Sequence, residues 1–262
     1  GSAVGQEPKL LELITSWVKE YSKVPVIVKL TPNITDINRP GEAAKRGNGD
    51  AVSLINTIKS LITVDIEDFV PYPKVGGRST NGGYCGPAVK PIALHMVASL
   101  ARNENFGLPI SGIGGISNWR DAVEFILMGS TTVQVCTAVM HYGYRIVDDL
   151  RDGLSDYMDR KGFKSVNEMV GKAVPNFTEW GELDLDYHHV AEIHPDKCIN
   201  CNLCVVACED GAHQCISVKP EIRLAPIVDE VECVGCNLCE LVCPSPGAIT
   251  MRKTKRLTYA GH

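Results

Sequence analysis

Four short apolar runs punctuate the chain: VPVIVKL (24–30), DAVSLIN (50–56), LPISGIG (108–114) and TTVQVCT (131–137). Runs of this length, apolar on both faces, are expected of strands buried in a parallel sheet. Between them the apolar period changes to that of a helix. Near Pro8–Tyr21 it stacks Leu10, Leu11, Ile14, Trp17 and Val18. Over Gly86–Ala101 it puts Val89, Ile92, Ala93, Met96, Val97 and Leu100 on one face. A third helix is predicted to start at Ser117 or Asn118, with Trp119, Val123, Ile126 and Leu127 at helical spacing. Its Asp121 falls in the first turn, where the helix dipole favours a carboxylate. Strands alternating with helices predict an α/β fold with a parallel sheet and right-handed crossovers. Four such units make either a small open sheet or half of an eightfold barrel, which typically takes about 250 residues.

The period weakens over 166–196, where polar, aromatic and proline residues mix. That stretch is expected to be a linker packed against the α/β unit of 1–165. Residues 197–252 read as a separate module of two similar halves, followed over 253–262 by a solvated tail. The halves are KCINCNLCVVACE and ECVGCNLCELVCPSPGAI, with spacings Cys198-x2-Cys201-x2-Cys204-x3-Cys208 and Cys233-x2-Cys236-x2-Cys239-x3-Cys243-Pro244. In such runs three thiolates wrap one cubane and the fourth reaches across to the other. Cys198, Cys201, Cys204 and Cys243 are therefore assigned to one [4Fe-4S] cluster, and Cys233, Cys236, Cys239 and Cys208 to the second. Zinc sites use two Cys pairs separated by a longer gap, not three thiols at equal steps. The pattern predicts an α+β ferredoxin-like domain whose two clusters pass electrons singly. Cys215 lies outside it and reads as a small buried hydrophobe beside a cluster. His188, His189, His194 and His213 lack paired spacing and read as surface or packing residues.

Composition adds a compartment and two exclusions. Nine of the 11 cysteines in the 262 residues follow position 190, mostly at two-residue gaps, which is cluster usage in a reducing, cytoplasmic setting. A net charge of −5 gives no footprint for nucleic acid or an anionic membrane. No apolar run is long enough to span a bilayer.

Three features sit at C-terminal ends of predicted strands, where parallel barrels place their chemistry. Lys29 ends VKL and reads either as a cation beside an electron-rich ring or as a snorkelling strand-end lysine. Asn56-Thr57 offers paired donors and acceptors, or a simple strand-end turn. Backbone amides at Gly114, Gly115, Cys136 and Thr137 are placed to cradle a phosphate at the mouth of the last two strands. The stretch GGRSTNGGYCGPAVKPIAL supplies a flexible loop leading into a helix at Gly86, with Cys85 a plain thiol.

VPVIVKLTPNITD, INT (55–57), GPAVKPIAL, PISGIGGI, VQVCTAVM and the two cysteine runs, taken in order, closely resemble the FMN- and iron–sulfur-carrying subunits of bacterial NAD-dependent dihydropyrimidine dehydrogenases. Dihydroorotate dehydrogenases share the flavin barrel, but the two-cluster tail is not typical of them. The resemblance implies the C-terminal half of an FMN-binding (β/α)8 barrel followed by the ferredoxin-like domain. By position, Lys29, Asn56, Gly86, Ile113, Gly114, Gly115, Cys136 and Thr137 match the family's FMN contacts, and Asn56 and Thr57 its pyrimidine contacts. In such hetero-oligomeric enzymes NADH reduces FAD on a partner subunit and the clusters relay electrons to FMN. The flavin then gives hydride to C6 of uracil or thymine while a loop cysteine protonates C5. Neither Cys85 nor Cys136 is in that cysteine's place. The opening GSAVGQEP resembles the end of the loop that bears it, so a C-terminal piece without its own catalytic acid, inactive alone, is expected. A stand-alone electron-transfer module and a dihydroorotate-type reductase are the alternatives.

Overall fold

Each apolar run forms a strand shorter than its sequence span: β1 (Ile27–Lys29), β2 (Ala51–Leu54), β3 (Ile110–Ile113) and β4 (Thr132–Gln134). The computed structural model describes residues 2–211, 213–218 and 225–255. Its strands pair in parallel in the order β1-β2-β3-β4. Sequential order without reversal is the winding of a barrel wall, whereas a doubly wound sheet reverses at its middle. Helices α1 (Pro8–Tyr21), α2 (Asn38–Arg46), α3 (Lys90–Arg102) and α4 (Trp119–Leu127) accompany the strands. One sheet face, carrying Leu30, Val52, Leu54 and Ile110, shares a buried core with Ala93, Val97, Leu100, Phe106 and Phe125.

The opposite face departs from the expectation of strands apolar on both sides. The register places Lys29 beside Ser53, Ser53 beside Ser111, and Ser111 beside Thr132. Gln134 Nε2 donates to Ser53 Oγ at 2.9 Å and to Ser111 Oγ at 2.7 Å, and Thr132 Oγ1 donates to Ser111 Oγ at 2.8 Å. Because side chains alternate across a strand, polar residues at every second position suffice to line a whole face.

Helix α1 also differs. Of its expected stripe, Leu11 is buried with Thr15, while Leu10, Trp17 and Val18 are 40%, 54% and 48% exposed. Helical period reports an amphipathic helix but not whether a partner covers its apolar face. From β2 into the Gly-rich stretch the chain forms two small antiparallel pairs: Ile58–Ser60 pairs with Gly82–Tyr84, and Val64–Asp65 with Val70–Pro71. Lys74 Nζ closes this excursion on Asp65 and Asp68 at 2.6 and 2.7 Å. Helices α5 (Thr137–Tyr142) and α6 (Ile146–Lys161) follow β4. Gly153 lets α6 approach α4, since a Cβ there would lie 2.2 Å from Trp119.

The chain divides into two units between Thr178 and Glu179. The expected linker 166–196 is thus shared out. Met169, fully buried against Val123 and Ile126, belongs to the first unit. Strand β5 (His188–Ile193) belongs to the second, where it pairs antiparallel with β8 (Ile249–Thr254). The expected tail therefore begins in a strand through Thr254, and its residues 256–262 lie outside the described residues. The second unit also holds α7 (Leu203–Glu209), a short antiparallel pair of β6 (Ile216–Ser217) with β7 (Ile227–Val228), and α8 (Leu238–Leu241). Its core combines Val190, Ala191, Ile216 and Ile249 with Cys204, Cys215, Cys233 and Cys239. Among the described residues no helix is long and apolar enough to cross a membrane.

Candidate functional site

In the α/β unit, Lys29, Asn56, Thr57, Gly86, Ile113, Gly114, Gly115, Cys136 and Thr137 all line one open cleft at the C-terminal ends of the strands. Backbone pairing delivers these residues: the Ile55 N–H donates to Ile113 O at 2.7 Å, and the Asn56 N–H to Leu30 O at 3.0 Å. Past β3 the chain turns through Gly114 (φ 136°) and Gly115 (φ 78°), a region L side chains rarely adopt. A Cβ on Gly115 would lie 2.8 Å from Gly86 O and 2.9 Å from Lys90 N, so only glycine lets β3 close onto the turn entering α3. The Lys29 ammonium lines the cleft with no carboxylate partner among the described residues. A free cation, three glycines and the strand-end amides form a donor set that fits an anionic, phosphate-bearing ligand.

The wall beside Gly115 is held by charge. Asn118 caps α4, accepting from the Arg120 and Asp121 N–H groups, and Asp121 returns the bond to Asn118. Lys90 Nζ meets Asp121 Oδ1 at 2.6 Å and Glu124 Oε2 at 2.9 Å. Burial alone would raise the Asp121 pKa, but Lys90 together with the Ser117 N–H and hydroxyl holds it below the ordinary carboxylate value. Asp121 is thus the buried anchor of a capping box, which its first-turn position only partly foretold.

An adjoining cleft shares Asn56 and Thr57 and adds Thr31, Asn33, Lys59 and Asn81. Asn33 ties its floor together, donating to Thr57 O at 3.1 Å and accepting from the Lys59 N–H at 2.7 Å. Sequence reasoning missed Asn33, and also Gln134, Ser117 and His141 in the main cleft. Gln134 had a signal: it stands two residues before Cys136, a polar residue inside an apolar run, in step with Ser53 and Ser111. Cys85 also lines the cleft.

In the second unit the eight run cysteines sort into two cavities. Cys198, Cys201, Cys204 and Cys243 line one; Cys208, Cys233, Cys236 and Cys239 line the other, with Cys215. Each cavity thus takes three thiols from one run and the last thiol of the other. Local backbone explains the inward turn of each trio. Asn200 and Gly235, and then Asn202 and Asn237, occupy matching left-handed positions, φ 58°, 70°, 60° and 65°. Among the described residues no three His, Cys, Asp or Glu side chains converge on a single-ion site. The thiols instead stand in two sets of four, the number that one [4Fe-4S] cubane takes, and the buried Asn237 Oδ1 beside one set is left without a hydrogen bond. Burial pushes the Cys204 thiol up and the Cys239 thiol up to about 11. His188 is tied to Cys233 O and His194 to Thr250 Oγ1, both structural contacts.

The sequence profile for Dihydroorotate dehydrogenase matches residues 1–158, the whole extent of the parallel sheet and its cleft. The chain belongs to the dihydroorotate dehydrogenase family. A second profile, 4Fe-4S dicluster domain, matches residues 191–251, beginning inside β5. With both domains present, this member of the family has FMN and two [4Fe-4S] clusters as its cofactors. Similar proteins include the NAD-dependent dihydropyrimidine dehydrogenase subunit PreA of Escherichia coli, 44% identical over 85% of this chain and 54% of that one. The chloroplastic dihydropyrimidine dehydrogenase (NADP(+)) of Arabidopsis thaliana is 42% identical over 70% of this chain and 44% of that one. The dihydroorotate dehydrogenase B (NAD(+)) catalytic subunit of Pyrococcus horikoshii is 42% identical over 66% of this chain and 55% of that one. The chain spans about half the length of these curated relatives.

Proposed function

We propose that this chain contributes the electron relay and one wall of the flavin and substrate pocket to an oxidoreductase that reduces uracil or thymine to the 5,6-dihydropyrimidine. The observation that carries the reading is the convergence of all nine strand-end and loop residues on a single cleft. Bound there, FMN supplies hydride exchange with the pyrimidine and single-electron exchange with the clusters. The Lys29 ammonium offsets negative charge on the ligand, and amides at Gly114, Gly115, Cys136 and Thr137 hold a phosphate, with Gly86 leaving room for close approach. Ile113 gives an apolar contact. Asn56 and Thr57 present the donors and acceptors that orient a pyrimidine edge, held in place by Asn33.

The crossed sets Cys198, Cys201, Cys204, Cys243 and Cys233, Cys236, Cys239, Cys208 would each hold one cluster. The electrons come from a partner subunit carrying FAD and reduced by NADH, making a hetero-oligomer in a reducing, cytoplasmic compartment. A dihydroorotate substrate is less well supported: the dihydroorotate relative aligns over 174 residues, the dihydropyrimidine relative over 224.

The outer edges of β1 and β4 have no strand partner among the described residues, and Cys85 and Cys136 are not in the proton donor's place. A general acid contributes roughly 10²–10⁴-fold, so this chain alone should bind FMN weakly and turn over uracil at least about 100-fold slower than an upstream-extended chain. The test is bound flavin and dihydrouracil formed with a chemical reductant, compared between the two chains. Equal turnover by the short chain would refute the reading of a missing acid and wall.

A further inference from the structure

The two cluster cavities are related by the internal repeat but are not equivalent. Each is lined by the residue just before a strand: Cys215 before β6 in one, Ala248 before β8 in the other. The next residue lines the cavity too, Ile216 in one and Ile249 in the other, so the positions correspond. Where one cavity has a methyl group, its twin has a thiol. Cys215 is buried, with 8% of the residue exposed. Its Sγ lies 3.6 Å from Cys208 Sγ, and its own backbone N–H donates to the same sulfur at 3.2 Å. The last cysteine of the other run has no such neighbour among the described residues; Cys243 Sγ instead faces Ser245 O at 3.5 Å.

We infer that Cys215 is a positioning residue for the relay, a thiol that donates a hydrogen bond to the Cys208 sulfur and so makes the cluster of that cavity the more easily reduced of the two. That role presupposes the crossed ligation proposed above. The physical reason is charge. Reduction adds an electron to a cluster whose density extends onto its cysteine sulfurs, and a donor aimed at one of those sulfurs stabilises the more negative state. The Cys215 amide would remain after substitution of its side chain, so the thiol's share can be measured separately. A cluster held at higher potential than its neighbour fixes where a single electron rests inside the unit.

The experiment is an EPR-monitored redox titration of the full chain, purified anaerobically, for wild type, Cys215→Ala, Cys215→Ser and Ala248→Cys. Iron is counted first. Fewer than eight irons in wild type would refute the two-cluster ligation itself, separately from any role of Cys215. With eight irons present, Cys215→Ala should keep all eight. It should lower the reduction equilibrium constant of one cluster about tenfold, which is about 59 mV for a single electron. That cluster should be the one whose signal also responds to Cys208→Ser. Cys215→Ser should recover part of the shift, since a hydroxyl still donates. Ala248→Cys should raise the potential of the other cluster, and it carries the test if Cys215→Ala does not fold. Unchanged potentials in these variants would overturn the proposal. So would a fall to four irons in Cys215→Ala, which would make Cys215 a ligand and not a donor.

Discussion

Between Cys198 and Cys243 one short stretch supplies every thiol of both cluster cavities, whereas the cleft of the α/β unit gathers its lining from Lys29 to His141. In the cluster unit, closure is local. Each trio of thiols is turned inward by its own left-handed residues, and one crossing cysteine completes the ring. In the α/β unit, closure depends on the sheet. The outer edges of β1 and β4 have no strand partner among the described residues, and Leu10, Trp17 and Val18 of α1 stay exposed. A site built from ligand loops can therefore finish itself, while one built from strand ends is only as complete as the barrel around it.

Breaking the crossing cysteine should have the largest effect. Cys208→Ser is expected to alter the EPR signal of the cluster held by Cys233, Cys236 and Cys239 while leaving the other intact. A change confined to the cluster of Cys198, Cys201 and Cys204 would reverse the assignment.

The comparison sharpens with a change that damages one unit only. Gly115→Ala places a side chain at φ 78°, with its Cβ 2.8 Å from Gly86 O. Strain and contact together should cost about 3 kcal/mol and reduce flavin retention, with iron content per chain unaltered. Iron lost in parallel with flavin would show that the two units do not fold independently.

A smaller effect is expected at the capping box. Asp121→Ala removes the α4 cap's return bond and leaves Lys90 with Glu124 alone, a loss of about 2 kcal/mol by thermal unfolding. The Asp121 carboxyl is depressed in the folded state, so its contribution is complete above the ordinary value of 3.8 and fades as pH falls through the lower, folded value. The gap between wild type and variant should stay constant from about pH 8 to pH 5 and narrow only in stronger acid. A gap that widens on acidification would reverse the sign of the linkage.

What could be read in the sequence follows the same division. The grouping of the cysteines into two sets of four was legible because ligand geometry fixes spacing over a few residues. Strand ends such as Lys29, Asn56 and Gly114 were legible because chemistry in a parallel sheet sits where strands stop. The polar row Ser53, Ser111 and Gln134 was not, since each stands between apolar neighbours and only the register lines them up. Strand β5 was hidden in an expected linker because its partner β8 lies beyond both cysteine runs. The exposure of the α1 stripe was not legible, because apolar periodicity does not reveal whether a covering surface exists.

The central claim is that this chain builds two cubane clusters from its own eight run cysteines. Iron and acid-labile sulfide in the anaerobically purified chain measure it most directly. About eight of each per chain are predicted, as two [4Fe-4S] clusters require. Stoichiometric zinc, or four irons with all eight cysteines intact, would contradict it.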